Sequence, residues 1–431
     1  MLISIISSVI IWGCAAVIIL RAINCSGISL PGNKVTSFLL ADKRRSVDES
    51  SDGWRTAMFV MLGALAFRLV IIGFSALAMA MWRDGELTFS NFLSQYIQWD
   101  ATNYKRITDL TYGGYNENGD LTTLAFFPLY PWITRIFKLF IRNTEISLLL
   151  VSVLSYSVGC GFLYKLTEPE YGRNTALKAV VFISVFPHSL FFGTMMNESM
   201  LFMNSVITLY FIRKHNWPLV GIFGALSAMS RMVGILLVFP AAFEWLEHYE
   251  ILGKLKEKRI KEVWRLFYSK GLWIFLMLAG IFIYLFCNYK YTGDWFKFLE
   301  YQKKYWGNGS AYFGKAIAGI ANRAFTADTF IRAAIWIPEL VSIAFVTGML
   351  IYGLRRSRIM YTAYLLIYII INTGFEWPIS IARYMVCAVP AFIFLAELSE
   401  RHKWLEYFIT AVMAVGMGIY LSAYLFSKQI L

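Results

Sequence analysis

The chain has 431 residues, of which 58% are hydrophobic and only 16% charged, a balance that excludes a soluble multidomain enzyme. Its net charge of +13 would point to nucleic acid in a water-soluble protein, but among long apolar runs basic residues first report membrane orientation, so no nucleic-acid partner is expected. The five cysteines, at positions 14, 25, 160, 287 and 387, have neither zinc nor redox spacing and imply no metal site or disulfide framework.

The first apolar run, Leu2 to Leu20, has no basic residue before it and no small-residue cleavage pattern after it, so it reads as a retained anchor rather than a signal peptide. The loop that follows carries Arg21, Lys34, Lys43, Arg44, Arg45 and Arg55, which places it in the cytosol and the N-terminus outside. Residues 1–53 are accordingly an extra helix with a basic loop, and residues 54–431 a single all-α integral membrane domain. Ala57 to Met81 is longer than the roughly 18 apolar residues a spanning helix needs. Arg68 stands inside that helix, where it must either find a partner or snorkel.

The first long outer segment runs from Trp82 to Glu145. In it Phe89, Phe92, Leu93, Tyr96, Ile97, Tyr104 and Ile107 recur at three- and four-residue spacing, the stripe of an amphipathic helix on the membrane surface. Asp100 falls on this stripe if the helix continues through Trp99; a cap or hinge at Trp99-Asp100 is the alternative. A carboxylate buried there needs a partner or a purpose. Phe126-Phe127-Pro128-Leu129-Tyr130-Pro131 then starts a helix through Arg135 and Lys138. Pro187 to Ser199 joins two apolar segments and puts His188 and Glu198 at the outer mouth, where Asn197 or Ser199 could also cap the next helix with Glu198 on its dipole.

The basic connections Arg213-Lys214, Lys254 to Arg265, and Arg355, Arg356 and Arg358 all fall in the cytosol if there are about twelve apolar segments. That parity requires Trp217 to Leu246 to be two short helices turning near Ser230 and Arg231. An arginine at the centre of a membrane helix costs roughly 2.5 to 3.5 kcal/mol, so Arg231 should face a partner or an anion. The second long outer segment, Lys290 to Phe325, is itself basic, with Lys303 and Lys304 among its cations, and thus calls for an anionic ligand. Arg383-Tyr384 closes the last outer turn after Glu376-Trp377-Pro378. Its guanidinium suits bidentate phosphate recognition, with an ion pair to Glu376 as the competing reading. No P-loop, HExxH, GxSxG or dinucleotide fingerprint occurs.

Taken in order, five motifs resemble those of the PIG-V family of membrane mannosyltransferases, which includes GPI mannosyltransferase 2 and bacterial relatives. They are Trp99-Asp100 with Tyr104, the Phe126 to Pro131 run, Pro187 to Phe202 with Phe191-Phe192 and Glu198-Ser199, Ser230-Arg231 with Gly234, and Arg383-Tyr384 with Pro390. The resemblance runs from about Ala57 to about Leu398. His188-Ser189 and Met195-Met196-Asn197 depart from the small or aromatic residues expected, which bears on acceptor contacts.

The resemblance implies a GT-C fold: a multi-pass bundle of about twelve membrane helices, some short, with amphipathic interfacial helices in the first outer loop. It implies a sugar carried on a polyprenyl phosphate as substrate, no cofactor and no metal. The expected reaction is inverting transfer of a hexose, mannose by the resemblance, to a glycan or lipid acceptor on the extracytoplasmic face of a cell membrane. By the same resemblance Asp100 is the general base. Arg231, Arg383, Tyr384, Lys303 and Lys304 meet the donor phosphate, and His188, Glu198, Tyr104 and Glu376 bind or orient the acceptor. Two rivals stand beside this: a transporter or flippase of a lipid-linked saccharide, and a non-catalytic scaffold whose polar residues only pair helices. The enzyme requires Asp100, Glu198, Arg231 and Arg383 to line one outer cavity, with a lipid-facing groove leading into it.

Overall fold

Apolar runs in a bilayer must satisfy every backbone N–H and C=O internally, and this chain does so with helices. Its structure, a computed structural model, describes residues 1–32, 34–40, 53–82, 88–376, 379–401 and 403–428. The chain is an all-α, multi-pass membrane protein. Among the described residues β pairing is limited to two isolated bridges, Glu117 with Asp120 and Ser310 with Phe375.

Five helices are long and apolar enough to cross a membrane: Leu2–Cys25, Gly53–Met81, Thr144–Tyr171, Thr329–Gly353 and Lys403–Leu425. Two bent pairs raise the number to seven, Arg173–Val185 with Pro187–Gly193 at 84° and Ile260–Phe275 with Leu278–Thr292 at 40°. The remaining apolar segments are shorter than a bilayer, among them Trp217–Ser230, Ile359–Asn372 and Val389–Ser399. About twelve apolar segments were expected as spans, but the interior ones are broken. Every residue of Val389–Ser399 except Leu398 is buried, so protein rather than lipid satisfies its ends.

Thr144–Tyr171 is the central post, packed against Glu198–Arg213, Gly53–Trp82, Arg173–Val185 and Leu129–Ile141. Glycine lets these helices close up: a Cβ at Gly159 would lie 2.5 Å from the Phe202 ring, and one at Gly161 2.3 Å from Met61. The Leu2–Cys25 helix packs on Phe313–Thr326 and Ile359–Asn372. Its buried Arg21 donates to the carbonyls of Leu354 and Ser357, just past the end of Ile337–Gly353. The apparent addition is therefore tied into the bundle. Lys43, Arg44 and Arg45 lie outside the described residues, and Arg55 belongs to the Gly53–Trp82 helix.

Arg68 does not snorkel, and among the described residues it pairs with no carboxylate. It turns inward, fully buried, with its guanidinium 4.4 Å from the Tyr156 ring centroid and Nη2 donating to the Ser184 carbonyl at 3.0 Å. That carbonyl ends Arg173–Val185 just before the 84° bend, so the arginine stabilises the helix C-terminus there.

The apolar stripe from Phe89 to Ile107 is not one helix. Phe89–Gln95 stops, Trp99 adopts φ +47°, and a second helix runs from Asp100 to Leu110. Both halves still bury their apolar face: Phe92, Leu93, Tyr96, Tyr104 and Ile107 are buried, while Phe89 is exposed. The last helix pins the hinge. Gln98 donates to the Tyr424 carbonyl at 2.6 Å, Tyr424 Oη donates to the Tyr96 carbonyl at 2.9 Å, and the Trp99 and Tyr424 rings meet edge-on at 5.3 Å. At the far end of Asp100–Leu110, Asp109 accepts from Lys138 and Thr144 at 2.5 Å each and from Lys105 at 2.9 Å.

The segment from Trp217 to Leu246 is two helices, as parity required. Trp217–Ser230 ends, Arg231 is fully extended, and the chain resumes through Met232–Leu237 into Val238–His248. Gly234 makes the reversal possible, because a Cβ there would sit 2.1 Å from the Ser227 carbonyl oxygen.

Two predictions follow from these joints. Gly234→Ala must push apart the turn that presents Arg231, costing about 1 to 3 kcal/mol as overpacking does, read as a lowered Tm in detergent. Burial raises the pKa of Asp109, but the hydrogen bonds from Lys138, Thr144 and Lys105 outweigh it and hold it at about 2. Being more acidic folded than unfolded, Asp109 stabilises the loop fully above about pH 4 and loses that contribution as pH falls through about 2. Wild type should thus lose more stability than Asp109→Asn between those values in acid unfolding followed by tryptophan fluorescence.

Candidate functional site

Each of four interrupted segments delivers one charged side chain to the same place. Asp100 opens its helix immediately after the Trp99 hinge. Glu198 opens Glu198–Arg213 after the bent Pro187–Gly193 turn. Arg231 stands on extended backbone, and Arg383 lies in the five-residue helix Ile381–Met385.

Glu198 is completely buried, and its Oε1 accepts from Arg231 Nη1 at 2.7 Å and from Arg383 Nε at 2.6 Å. Arg383 Nη1 reaches on to Asp100 Oδ2 at 2.8 Å. Two guanidiniums are thereby balanced by two carboxylates, the condition under which buried charges persist. The guanidinium of Arg231 lies 4.0 Å from the Tyr384 ring centroid, and that of Arg383 lies 4.8 Å from Phe191. The two arginines differ in access: the Arg231 side chain is 20% exposed and that of Arg383 only 2%.

The network forms one wall of a cavity of about 700 Å³, within the size range of small-molecule sites. Asp100, Tyr104, Arg231, Arg383, Tyr384, Lys303 and Glu376 all line it. Glu198 lies behind the two arginines rather than on the surface. His188 does not reach the cavity; it is buried, with its ring 4.5 Å from that of Tyr420. Lys304 turns away from its neighbour Lys303 and pairs with Asp120 at 2.6 Å on the outside of the Lys297–Trp306 helix. Adjacent residues on a helix point about 100° apart, so only one of the two lysines can face inward.

Glu376 is not the partner of Arg383. Its side chain is exposed and its N–H donates to the Gly309 carbonyl at 2.8 Å, while Trp377 and Pro378 lie outside the described residues. Asn197 and Ser199 do not cap Glu198–Arg213 either: Asn197 Nδ2 donates to the Ser230 carbonyl at 2.8 Å and Ser199 Oγ to the Phe192 carbonyl at 3.1 Å. Sequence reasoning missed Gln302 and Trp306, which join Lys303 in the lining. Their signal was the amphipathic spacing of Phe298, Tyr301, Gln302 and Trp306 just before Gly307. Among the described residues no group of three or more His, Cys, Asp or Glu side chains could hold a metal ion.

Residues 127–284 match a family model described as dolichyl-phosphate-mannose-protein mannosyltransferase, over somewhat more than a third of the chain. The matched stretch contains Glu198 and Arg231 but neither Asp100 nor Arg383. No curated protein matches the sequence. Among solved structures, the apo form of ArnT from Cupriavidus metallidurans is 14% identical, over 76% of this chain and 57% of that one, with a TM-score of 0.47. The same protein bound to undecaprenyl phosphate is 14% identical over 83% of this chain and 63% of that one, with a TM-score of 0.47. The apo oligosaccharyltransferase of Archaeoglobus fulgidus is 14% identical over 84% of this chain and 56% of that one, at a TM-score of 0.40. The chain thus spans about three-fifths of the length of these structural relatives.

Removing the shared carboxylate is the sharpest test of the network. Glu198→Gln leaves two guanidiniums on a neutral amide and should destabilise the protein by about 3 to 5 kcal/mol, as breaking a buried pair does. Lys304→Ala, by contrast, should leave thermal unfolding in detergent unchanged.

Proposed function

We propose that the chain is a polyprenyl-phosphate-dependent glycosyltransferase that moves a hexose, with mannose the favoured sugar, to a glycan or glycolipid acceptor at the extracytoplasmic face of a cell membrane. The observation that carries this reading is that Asp100, Arg231 and Arg383 line one cavity while the buried Glu198 behind them joins the two arginines. The motif resemblance and the mannosyltransferase family match support the donor class.

The chemistry divides among these residues. The Asp100 carboxylate takes the proton of the acceptor hydroxyl while that oxygen attacks the anomeric carbon from the face opposite the leaving group. The bond from the anomeric carbon to the phosphate oxygen breaks, the configuration inverts, and polyprenyl phosphate departs with the electron pair. Its negative charge is met by Arg231, the more accessible guanidinium, backed by Tyr384 and by Arg383. Arg383 holds one oxygen of Asp100 and leaves the other for the acceptor. Glu198 orients both arginines rather than touching substrate. Lys303, also in the cavity lining, supplies a further cation for the phosphate, and Tyr104 and Glu376 border the acceptor side.

The test is release of mannose from a synthetic polyprenyl-phosphate mannose by purified protein, with a membrane extract as acceptor. Asp100→Asn should lower turnover by about 10² to 10⁴-fold while donor binding persists, and Arg231→Gln should weaken donor binding. Undiminished turnover in Asp100→Asn would remove the base assignment. If wild type consumes none of several lipid-phosphate sugars, a transporter or flippase of such lipids becomes the better reading.

A further inference from the structure

Arg383 and Tyr384 sit in a helix of five residues, too short to hold its own geometry. It begins after Ser380, whose φ of +70° is costly for a residue with a side chain. Something outside the segment must therefore decide where it starts and which way Arg383 points.

That something is the buried carboxylate of Glu339, in the first turn of Ile337–Gly353. Glu339 Oε2 accepts the N–H of Ala382 at 2.6 Å. Among the described residues no cation pairs with Glu339. A carboxylate buried against backbone donors alone is expensive where an apolar side chain would pack at less cost. At the other end of the short helix, Tyr368 Oη donates to the Tyr384 carbonyl at 2.9 Å. The segment is thus clamped between side chains of two large helices, Ile337–Gly353 and Ile359–Asn372.

We propose that Glu339 is a positioning residue for the lipid-phosphate site: by holding the Ala382 amide at the start of Ile381–Met385 it aims Arg383 at Asp100 and Glu198 and sets Tyr384 beneath Arg231. This rests on the glycosyl-transfer reading above for its kinetic consequence, but not for its structural one. Glu339 touches no substrate and acts through the backbone it holds.

The experiment pairs steady-state kinetics with hydrogen exchange on the full-length protein in detergent, using polyprenyl-phosphate mannose as donor. Glu339→Ala should raise the donor KM on the order of tenfold, the loss of about one well-made hydrogen bond, with a smaller change in kcat. It should also speed amide exchange within residues 380–384 and leave the rest of the bundle protected. Glu339→Gln keeps an acceptor oxygen and should restore most of the KM. In an Arg383→Lys background Glu339→Ala should add little, because both changes act on one guanidinium. An unchanged KM and exchange in Glu339→Ala, or effects fully additive with Arg383→Lys, would overturn the assignment. Where Glu339→Ala does not fold, Tyr368→Phe puts the same question from the other end: a raised donor KM supports the clamp and an unchanged one removes it. If wild-type protein consumes no lipid-phosphate sugar, the transfer reading falls, and exchange alone decides: loss of protection confined to 380–384 upholds the positioning, and none refutes it.

Discussion

The carboxylate of Glu198 is the point on which the other charges of the cavity depend. It is buried in a region bordered by apolar helices, where an isolated ion would be intolerable, and it is held there by two guanidiniums that are equally in need of it. The partners lie 33 and 185 residues away along the chain, and Arg383 extends the chain of charge to Asp100, 283 residues distant. One small group thus joins the Asp100–Leu110 helix, the middle of the chain and its last third.

Helices that ran unbroken through this region could not meet there. Irregular backbone at membrane depth is tolerated only where it is enclosed in protein or lines a cavity, and here each break has its own fastening. Tyr424 and Gln98 hold the Trp99 hinge, and Arg68 steadies the helix end before the Pro187–Gly193 bend. Asn197 binds the Ser230 carbonyl before Arg231, and Glu339 holds the start of the Arg383 segment. Strain at Trp99 and Ser380 is affordable because the surrounding helices over-determine those residues. The outcome is a set of four charged groups arranged before any ligand arrives, which is what electrostatic stabilisation of a leaving group requires.

A different cluster closes the opposite end of the same helices. Glu244 accepts contacts from Arg213 at 3.4 Å, Arg358 at 3.3 Å and His215 at 3.0 Å, and Glu170 pairs with the same two arginines. Glu244 is almost wholly buried. Both clusters join acids to arginines across helix ends. The one beside Asp100 has both of its guanidiniums, those of Arg231 and Arg383, in the lining of the cavity of about 700 Å³.

By itself the sequence determined the class and the candidates. Apolar length and the scarcity of charge dictate membrane helices, and an arginine inside an apolar run must either break the helix or find an anion, which is why the turn at Arg231 was legible. The Trp99 hinge was legible only as an alternative, since the apolar stripe keeps its period across the break while the backbone does not. Partner choice was not legible at all. Glu376 lies near Arg383 in sequence, yet Arg383 takes Glu198; Lys303 and Lys304 are chemically alike, yet one faces the cavity and the other Asp120. His188 and Glu198 share a turn, yet one is walled in by aromatic rings and the other anchors two arginines. Local periodicity and the cost of burying charge are written residue by residue, whereas which opposite charge answers each one is decided when distant helices pack, and tertiary structure alone sets that geometry.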